Sequence, residues 1–398
     1  MTTPAEGTLA GFRVLDFTAV MAGPFATRML ADHGADVIKI EPPGGDLMRT
    51  RPPLREDSSS YFGALNCGKR SIVLDLKSPD ARVIATRLAQ AVDIIVENFR
   101  PGVMGKLGLD YETLAVHNPG LIYCSISGFG QSGPAASKPA YAPVIHAASG
   151  YDLANMGYQN AERPARTGIF LADVLGGIYA FGAIQAALLH RERIGVGQSI
   201  DVSMLDAMVA LQVFELQQAQ FPSDWRRPVY SPMQAADGYV VVAPTSPRIF
   251  ERLCQVIDRT DLPHDPRFSS IEQRDLHWDQ LLGEIERWTI MRTASECEEA
   301  LLRAGVPCSR YRGIAEVLTD EQVLSRGSLA EIRDEAGDFL VANPPYVMSA
   351  TPARARPFVS AASADSEQIL QELLGCTTDE ISAWQACGAL GSRPMENT

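Results

Sequence analysis

The chain has 398 residues and a formal net charge of −13 at pH 7, and its length predicts two domains or one large elaborated domain. Hydrophobic residues make up 46% and charged residues 21%, which excludes a disordered chain. The acidic pI near 5.0 argues against a nucleic-acid binder, because phosphate neutralisation needs a basic surface. Seven cysteines without CxxC spacing predict reduced thiols in a cytoplasm, and six histidines form no metal-binding pattern.

The first third of the chain alternates between short apolar runs and helical patterns. Strands are predicted at 13–17, 36–41, 71–76, 93–98 and 121–127, and helices at 25–32 and 80–91. This alternation predicts an α/β fold with a parallel, Rossmann-like sheet, whose ligands sit outside the carboxyl ends of the strands. The loops at those ends lack a GxGxxG pattern in front of a helix, so NAD is not expected.

The stretch 167–191 is an almost uncharged segment with one carboxylate, Asp173, near its head. As a helix it has no polar face, so we predict that it is buried on all sides. Glycines at 176, 177 and 182 cost roughly 1 kcal/mol each in a helix, which indicates that a backbone or a ligand comes close. Its apolar run is shorter than the roughly 20 residues of a membrane span. From the local sequence, Asp173 is either a helix N-cap or a functional group.

The remaining chain predicts a second, smaller α/β domain. A strand follows the turn at 195–198, a long helix spans 204–220, and a polar, proline-bearing linker lies at 225–230. Later predictions are strands at 238–243 and 339–342 and helices at 247–258, 277–290, 294–304 and 366–374. The predicted domains are 1–224 for the first part of the large domain, 225–325 for the small domain, and 326–398 for a segment that returns to the large domain.

Several motifs, in order and spacing, resemble the class III CoA-transferase family, which includes formyl-CoA transferase, carnitine CoA-transferase and the 2-methylacyl-CoA racemases. The motifs are Val14-Leu-Asp-Phe17 with Ala22-Gly-Pro24, Gly34-Ala-Asp-Val-Ile-Lys-Ile-Glu41, Asn66-Cys-Gly-Lys-Arg-Ser-Ile-Val-Leu-Asp-Leu-Lys77, Val96-Glu-Asn-Phe-Arg-Pro-Gly102, Ser127-Gly-Phe-Gly-Gln-Ser-Gly-Pro134 and Leu171-Ala-Asp173. The resemblance spans nearly the whole chain. It implies a Rossmann-like domain joined to a small α/β domain, in a homodimer of two interlocked rings.

The resemblance also implies a transferase that moves CoA between an acyl-CoA and a small carboxylic acid, with no permanently bound cofactor. Catalysis is assigned to Asp173, whose carboxylate attacks the thioester carbonyl and then carries CoA as an aspartyl thioester. Arg100 and Lys106 have the charge that CoA phosphates require. Lys39, Lys69 and Arg70 are further cationic candidates, although ordinary surface charge is the simpler interpretation of the last two. The residues that the resemblance places around CoA are Met21, Ala22, Leu74, Asp75, Lys77, Asn98, Phe99, Arg100, Lys106, Lys138 and Tyr141.

Three departures from formyl-CoA transferase bear on the substrate. Met21 stands where that enzyme has a glutamine, Pro42 where it has an arginine, and the segment 243–247 where it has a glycine-rich lid. We therefore expect a substrate other than formate or oxalate, with succinyl-CoA or a similar acyl-CoA as donor. Candidates for holding the acceptor carboxylate are Arg49, Arg51, Arg166 and Gln131.

Two other functions stay open at this point. A racemase of this family pairs the aspartate with a histidine, which aligns with Tyr141 here, and a tyrosine with a pKa of about 10 is a poor base. His146 follows five residues later and is a weak substitute. A catalytically silent CoA-binding subunit of a hetero-oligomer is the other alternative, and the setting of Asp173 within Leu-Ala-Asp-Val-Leu-Gly-Gly argues against it.

Overall fold

A computed structural model gives the structure of residues 7–164 and 166–391. The strands are β1 (Arg13–Asp16), β2 (Asp36–Glu41), β3 (Leu54–Arg55), β4 (Ser58–Ser59), β5 (Lys69–Val73), β6 (Ile94–Glu97), β7 (Ile122–Ser127), β8 (Gln198–Ser203), β9 (Met233–Gln234), β10 (Tyr239–Val242), β11 (Cys308–Arg310), β12 (Leu329–Asp334) and β13 (Gly337–Ala342). The helices are α1 (Ala22–Asp32), α2 (Ser60–Asn66), α3 (Pro79–Gln90), α4 (Val103–Leu107), α5 (Tyr111–Ala115), α6 (Ala142–Ala148), α7 (Tyr151–Tyr158), α8 (Leu171–Ile194), α9 (Met204–Leu211), α10 (Val213–Gln220), α11 (Pro247–Val256), α12 (Ile271–Leu276), α13 (Trp278–Thr289), α14 (Ala294–Arg303), α15 (Ile314–Val317), α16 (Glu321–Ser325), α17 (Ser366–Leu374) and α18 (Thr378–Ala386).

Six of these strands form one parallel sheet in the order β5-β2-β1-β6-β7-β8. The chain runs outward from β1 to β5, returns to place β6 beside β1, and runs outward again to β8. The strand order therefore reverses between β1 and β6, which is where an open α/β sheet binds its ligand. The predicted parallel, Rossmann-like layer is confirmed.

Helices cover both faces of the sheet because neighbouring residues in each strand point to opposite sides. Leu15, Ile38 and Ile95 belong to a core that also contains residues of α3, α17 and α18. Val14, Val37 and Ile94 belong to the opposite core, which contains residues of α1, α8 and α9. The buried apolar runs predicted as strands are thus buried on two faces, as in other covered parallel sheets.

The helix predicted over 204–220 is two helices in the structure. The chain breaks between α9 and α10 at Gln212, whose φ of −90° and ψ of 52° leave the helical region. The Gln212 side-chain amide donates to the Ser149 carbonyl at 2.9 Å and to the Met208 carbonyl at 3.0 Å. A buried side chain that bonds its own backbone competes with the helical pattern, and the apolar periodicity of the sequence does not reveal that competition.

The chain folds as two compact units. One comprises Met1–Val213 with Leu324–Thr398, and the other is Phe214–Val323. The second unit contains an antiparallel sheet in the order β11-β10-β9 and has its own apolar core, which includes Phe250, Leu281 and Trp288.

The segment after the second unit completes the edge of the large sheet. The Asp365 carboxylate accepts a hydrogen bond from the Ser71 backbone N–H at 2.8 Å, and the Ser363 N–H donates to the Ser71 hydroxyl at 3.1 Å. The Gly391 N–H donates to the Val73 carbonyl at 2.9 Å. Strand β5 therefore receives its outer hydrogen-bonding partners from residues far along the chain.

Candidate active site

Helix α8 places Asp173 at the carboxyl edge of the sheet. The helix belongs to the crossover from β7 to β8 and runs antiparallel to both strands, so its first turn lies at the end where ligands bind. It begins at Leu171 after Phe170, which makes no side-chain capping bond. Asp173 is the third residue of the helix, so its interpretation as the N-cap is wrong.

The predicted close approach of a backbone is confirmed at Gly177. A Cβ at Gly177 would lie 2.8 Å from the Ala22 carbonyl oxygen and 2.9 Å from the Phe25 ring, so glycine there lets α8 pack closely against α1. At Gly176 the nearest neighbour is a side chain of α9, since a Cβ would lie 3.2 Å from Met204 Cγ. Gly182 is different, since a Cβ there meets nothing within 4 Å in the described chain.

The Asp173 carboxylate is half-buried next to the start of α1. Burial raises the pKa of Asp173 to about 6, while hydrogen bonds from the backbone N–H groups of Ala22 and of Asp173 itself act in the opposite direction. Near neutral pH the group is therefore an ionised, incompletely solvated carboxylate. Such a carboxylate is a better nucleophile than one in bulk water, and backbone amides beside it can donate to a developing oxyanion.

The loop between β1 and α1, which delivers the Ala22 amide, is held in a strained conformation. Val20 has φ of 68°, and a β-branched residue is unfavourable in this left-handed region. Asn98, just after β6, clamps the loop by accepting from the Ala19 N–H at 2.9 Å and donating to the Ala19 carbonyl at 2.8 Å. The clamp bridges β1 and β6 at the point where the strand order reverses.

Tyr61, on α2, joins this site although the sequence analysis did not select it. Its hydroxyl donates to the Met21 sulfur at 3.2 Å. Burial and then the charge of Asp173 raise the pKa of Tyr61, which indicates that the phenol lies close to the carboxylate. No motif identifies Tyr61, because a tyrosine near the start of a short buried helix is ordinary core composition.

The loop after β6 combines a buried anchor with exposed cations. Glu97 accepts a hydrogen bond from the Phe99 N–H at 2.8 Å, which orients the loop. Burial raises the pKa of Glu97 to about 7, while the Ser125 hydroxyl and the Phe99 amide lower it. Arg100 and Lys106 are exposed, and within the described residues their side chains take part in no ion pair.

The three further cationic candidates are occupied elsewhere. Lys69 is buried, and its ammonium contacts the Asp16 carboxylate at 3.0 Å and the Thr27 hydroxyl at 2.7 Å. Lys39 is buried 2.9 Å from Asp46, and Arg70 pairs with Asp36 at 2.5 Å. These side chains stabilise the fold and are not available to phosphates, so including them in a phosphate patch is wrong.

The remaining predicted residues lie at the ends of β5 and β7. The Leu74 side chain is 1% exposed in the core, so only its backbone is available to a ligand. Asp75 accepts from the Lys77 N–H at 3.1 Å and thereby closes the turn after β5. Lys138 is exposed and Tyr141, just before α6, is 71% exposed. Among the residues proposed for the acceptor acid, Arg49 is already paired with Glu41 at 2.6 Å.

Known proteins that are similar to this chain indicate its family. The model of the family described as CoA-transferase family III matches residues 9–359. The chain belongs to CoA-transferase family III. It is 37% identical over 366 residues to the succinate–glutarate CoA-transferase of Agrobacterium fabrum, covering 87% of this chain and 90% of that enzyme. It is 40% identical over 340 residues to the acetyl-CoA:oxalate CoA-transferase of Acetobacter aceti, covering 82% and 87% respectively. A CaiB/BaiF family protein from Brucella suis superimposes with a TM-score of 0.81 at 30% identity, covering 92% of this chain and 100% of that one.

In this family III CoA-transferase, His146 is not placed as a base for α-proton transfer. Its ring is 1% exposed, and Nε2 accepts a hydrogen bond from the Ala172 N–H at 3.1 Å. A racemase needs a second acid–base group facing the substrate opposite the aspartate, and His146 is engaged with the protein instead. Transfer of CoA is therefore favoured over racemisation.

The prediction that α8 is buried on all sides is wrong for the single chain of the transferase. One face packs on α1 and the sheet, whereas Ile178, Tyr179 and Leu189 on other faces are exposed. The 24-residue helix is long and apolar enough to cross a membrane by length and composition alone, and the core helix of a globular protein meets the same criterion.

A separate cleft of about 740 Å³ lies beside the β12–β13 hairpin. Its walls include Ser328, Asn343, Tyr346 and Arg354, and none of the predicted site residues lines it. The raised pKa of Asp173, the strained loop at Val20 and the exposed side chains of Arg100 and Lys106 all lie away from this cleft, at the carboxyl edge of the large sheet.

Proposed function

We propose that the enzyme transfers CoA from succinyl-CoA, or a similar donor, to a dicarboxylic acid. The observation that carries the proposal is the half-buried carboxylate of Asp173, in the first turn of α8 beside the Ala22 amide. The name of the first compared enzyme, succinate–glutarate CoA-transferase, supports the dicarboxylic class, whereas the name of the second pairs acetyl-CoA with oxalate.

The reaction proceeds through covalent intermediates on Asp173. The carboxylate attacks the thioester carbonyl, the C–S bond breaks, and CoA leaves as a thiolate to give a mixed anhydride. The thiolate attacks the aspartyl carbonyl and releases the donor acid, leaving an aspartyl-CoA thioester. The acceptor carboxylate attacks that carbonyl, forming a second anhydride and freeing the thiolate. Attack of the thiolate on the acyl carbonyl then gives the new acyl-CoA and restores Asp173, with no net proton or electron transfer.

CoA is bound across the carboxyl edge in this proposal. Arg100 and Lys106 hold its phosphates, which agrees with their exposure and lack of ion-pair partners. The turn at 74–77 and the loop at 98–99 contact the nucleotide, and Met21, Ala22, Lys138 and Tyr141 surround the thioester end. Arg51 is exposed and takes part in no ion pair among the described residues, so we propose that it holds the second carboxylate of the acid.

The active form is proposed to be an interlocked homodimer in the cytoplasm. The exposed apolar residues of α8 support a partner subunit, because a run such as Ile178, Tyr179 and Leu189 is costly to leave in water. A second copy would cover these faces and reconcile the all-apolar sequence of the helix with its half-exposed position in one chain.

Trapping of the covalent intermediate tests the proposal. Incubation with succinyl-CoA alone is expected to load Asp173, after which hydroxylamine converts it to a hydroxamate and borohydride reduces an aspartyl thioester to homoserine. Peptide mass spectra would place either product within 167–191. The control is Asp173→Ala, which retains CoA binding and yields no adduct. Transfer by the wild-type chain without any adduct at Asp173 would refute the mechanism.

An acceptor panel tests the substrate class in the same preparation. Glutarate and oxalate are compared with acetate and benzoate as acceptors from succinyl-CoA, because transfer to succinate would only regenerate the donor. We expect Arg51→Ala to raise the KM for the dicarboxylic acids and to leave that for acetate unchanged. Equal use of mono- and dicarboxylic acids by the wild-type enzyme would refute the dicarboxylic class while leaving CoA transfer intact.

A further inference from the structure

The start of helix α8 depends on a side chain from another helix. Phe170, at the N-cap, provides no side-chain hydrogen bond to the first turn. The Ala172 N–H, in a residue that is 0% exposed, donates instead to Nε2 of His146 at 3.1 Å. Buried amides are almost always satisfied, because an unpaired one loses its hydration without compensation. His146 is thus the acceptor that completes this turn.

The hydrogen bond determines the state of the ring. A nitrogen that accepts from a backbone N–H carries no proton, so neutral His146 holds its proton on Nδ1. Nδ1 is buried and has no hydrogen-bond partner within the described residues, so no hydrogen bond at Nδ1 favours a different orientation of the ring. Burial lowers the pKa of His146 while Asp152 opposes this, which keeps the ring neutral near pH 7.

Two other amides of the first turn have partners within the same segment. The Leu171 N–H donates to the Ile169 carbonyl at 3.0 Å, and the Val174 N–H donates to the Phe170 carbonyl at 3.2 Å. The Ala172 N–H, by contrast, donates to a side chain of another helix. That hydrogen bond ties the residue immediately before Asp173 to α6.

We propose that His146 is a positioning residue, which fixes the first turn of α8, and with it the Asp173 carboxylate, by accepting the Ala172 amide. The inference rests on the proposed role of Asp173 as nucleophile. His146 also joins α6, which directly follows the Lys138–Tyr141 loop, to the first turn of α8. The hydrogen bond therefore holds the nucleophile in register with the loop proposed to lie over the thioester.

A matched pair of substitutions tests the role of the acceptor. Glutamine and methionine are similar in length and volume, and only glutamine carries a strong hydrogen-bond acceptor. We expect His146→Gln to keep kcat within about 3-fold of wild type. We expect His146→Met to lower kcat by about 10- to 100-fold with an unchanged KM for acyl-CoA, because small displacements of a reacting group are costly. Thermal unfolding of both variants monitors the fold.

Loss of activity in folded His146→Gln equal to that in His146→Met would overturn the proposal, as would wild-type kcat in the methionine variant. If His146→Met does not fold, the glutamine variant decides alone, with retained kcat in support and lost kcat against. NMR of ¹⁵N-histidine-labelled enzyme provides a readout independent of turnover, since the His146 Nε2 resonance must be that of an unprotonated nitrogen. A protonated Nε2 overturns the proposal. A wild-type chain that transfers no CoA would instead refute the proposed function, and the NMR result would still decide whether His146 accepts the bond.

Discussion

Asp173 combines a buried position with a need to be charged. Burial raises its pKa to about 6, so the folded protein binds this proton more tightly than the unfolded chain, in which an aspartate has a pKa near 3.8. The contribution of the group to folding stability therefore falls as pH rises from about 4 to about 6 and is constant above that. At the pH where the enzyme works, the ionised Asp173 carboxylate therefore lowers the stability of the folded protein.

The first prediction concerns pH. Because the free carboxylate is the nucleophile, kcat/KM for acyl-CoA should fall with decreasing pH below about 6, and not near 4 as for a solvated aspartate. Steady-state kinetics between pH 4.5 and 8 measures this. Thermal unfolding of Asp173→Asn at pH 8 should show a higher Tm than wild type, and the difference should disappear near pH 4. A fall of kcat/KM near pH 4, in place of pH 6, would mean that the Asp173 carboxylate is solvated in the working enzyme.

The second prediction concerns the phosphate contacts. Arg100→Ala should raise the KM for acyl-CoA by about 10-fold and change kcat little, because a contact far from the reacting carbonyl stabilises substrate and transition state equally. The matched control is Arg303→Ala, which removes an exposed arginine from the second unit. A fall in kcat without a change in KM would place Arg100 near the reacting atoms.

Charge type alone did not distinguish phosphate ligands from structural cations. Lys39 and Lys69 lie in motifs that carry the family resemblance, yet their ammonium groups are buried against Asp46 and Asp16. The sequence shows a lysine and an aspartate but not their distance, which depends on strand pairing between β1, β2 and β5. Asp173 is conspicuous as a single carboxylate in an apolar stretch, but the local sequence left open whether it is a helix cap or a functional group.

Helix α8 and helix α1 meet through backbone, and that contact sets the geometry of the site. The third prediction is that Gly177→Ala lowers Tm by several degrees and reduces kcat about 10-fold, because its Cβ would lie 2.8 Å from the Ala22 carbonyl and displace Ala22, whose N–H lies beside the Asp173 carboxylate. The control is Gly283→Ala on α13, where a Cβ meets nothing within 4 Å. That change should stabilise the protein by up to about 1 kcal/mol, since alanine favours helix. If the two variants have the same Tm and kcat, α1 can move away from the added methyl group without loss of stability or activity.

The regular elements of the parallel layer were predictable because periodicity and turn residues act locally. Strand β2 and helix α17 have the predicted bounds. Helices α6 and α7 were not predicted, since each is short and they are separated by the Ser149-Gly150 turn. The role of His146 followed from the position of α6 against α8, and no local pattern encodes such a contact between helices.

At the scale of the whole molecule, the fourth prediction concerns assembly. Light scattering should give about twice the chain mass of 43.1 kDa. If the two chains are interlocked, differently tagged dimers that are purified separately and mixed should not exchange subunits, whereas co-expression should give mixed dimers. Unfolding and refolding the mixture is the positive control. Rapid exchange between native dimers would show that they associate through surfaces without threading, and a monomer of full activity would refute the dimer itself.

Strand β5 is the outer strand of the large sheet, and its neighbours on the open side come late in synthesis. The Ser363 amide that bonds Ser71 lies 292 positions further along the chain. At a translation rate of roughly 5–20 residues per second, the edge of β5 waits about 15 to 60 s on the ribosome for this partner. The residues between 214 and 323 form a unit with its own core, so they can fold during that interval. An uncovered edge strand pairs readily with other chains, so we expect the yield of this protein in cells to depend on chaperone protection of the nascent sheet more than on the stability of the finished enzyme.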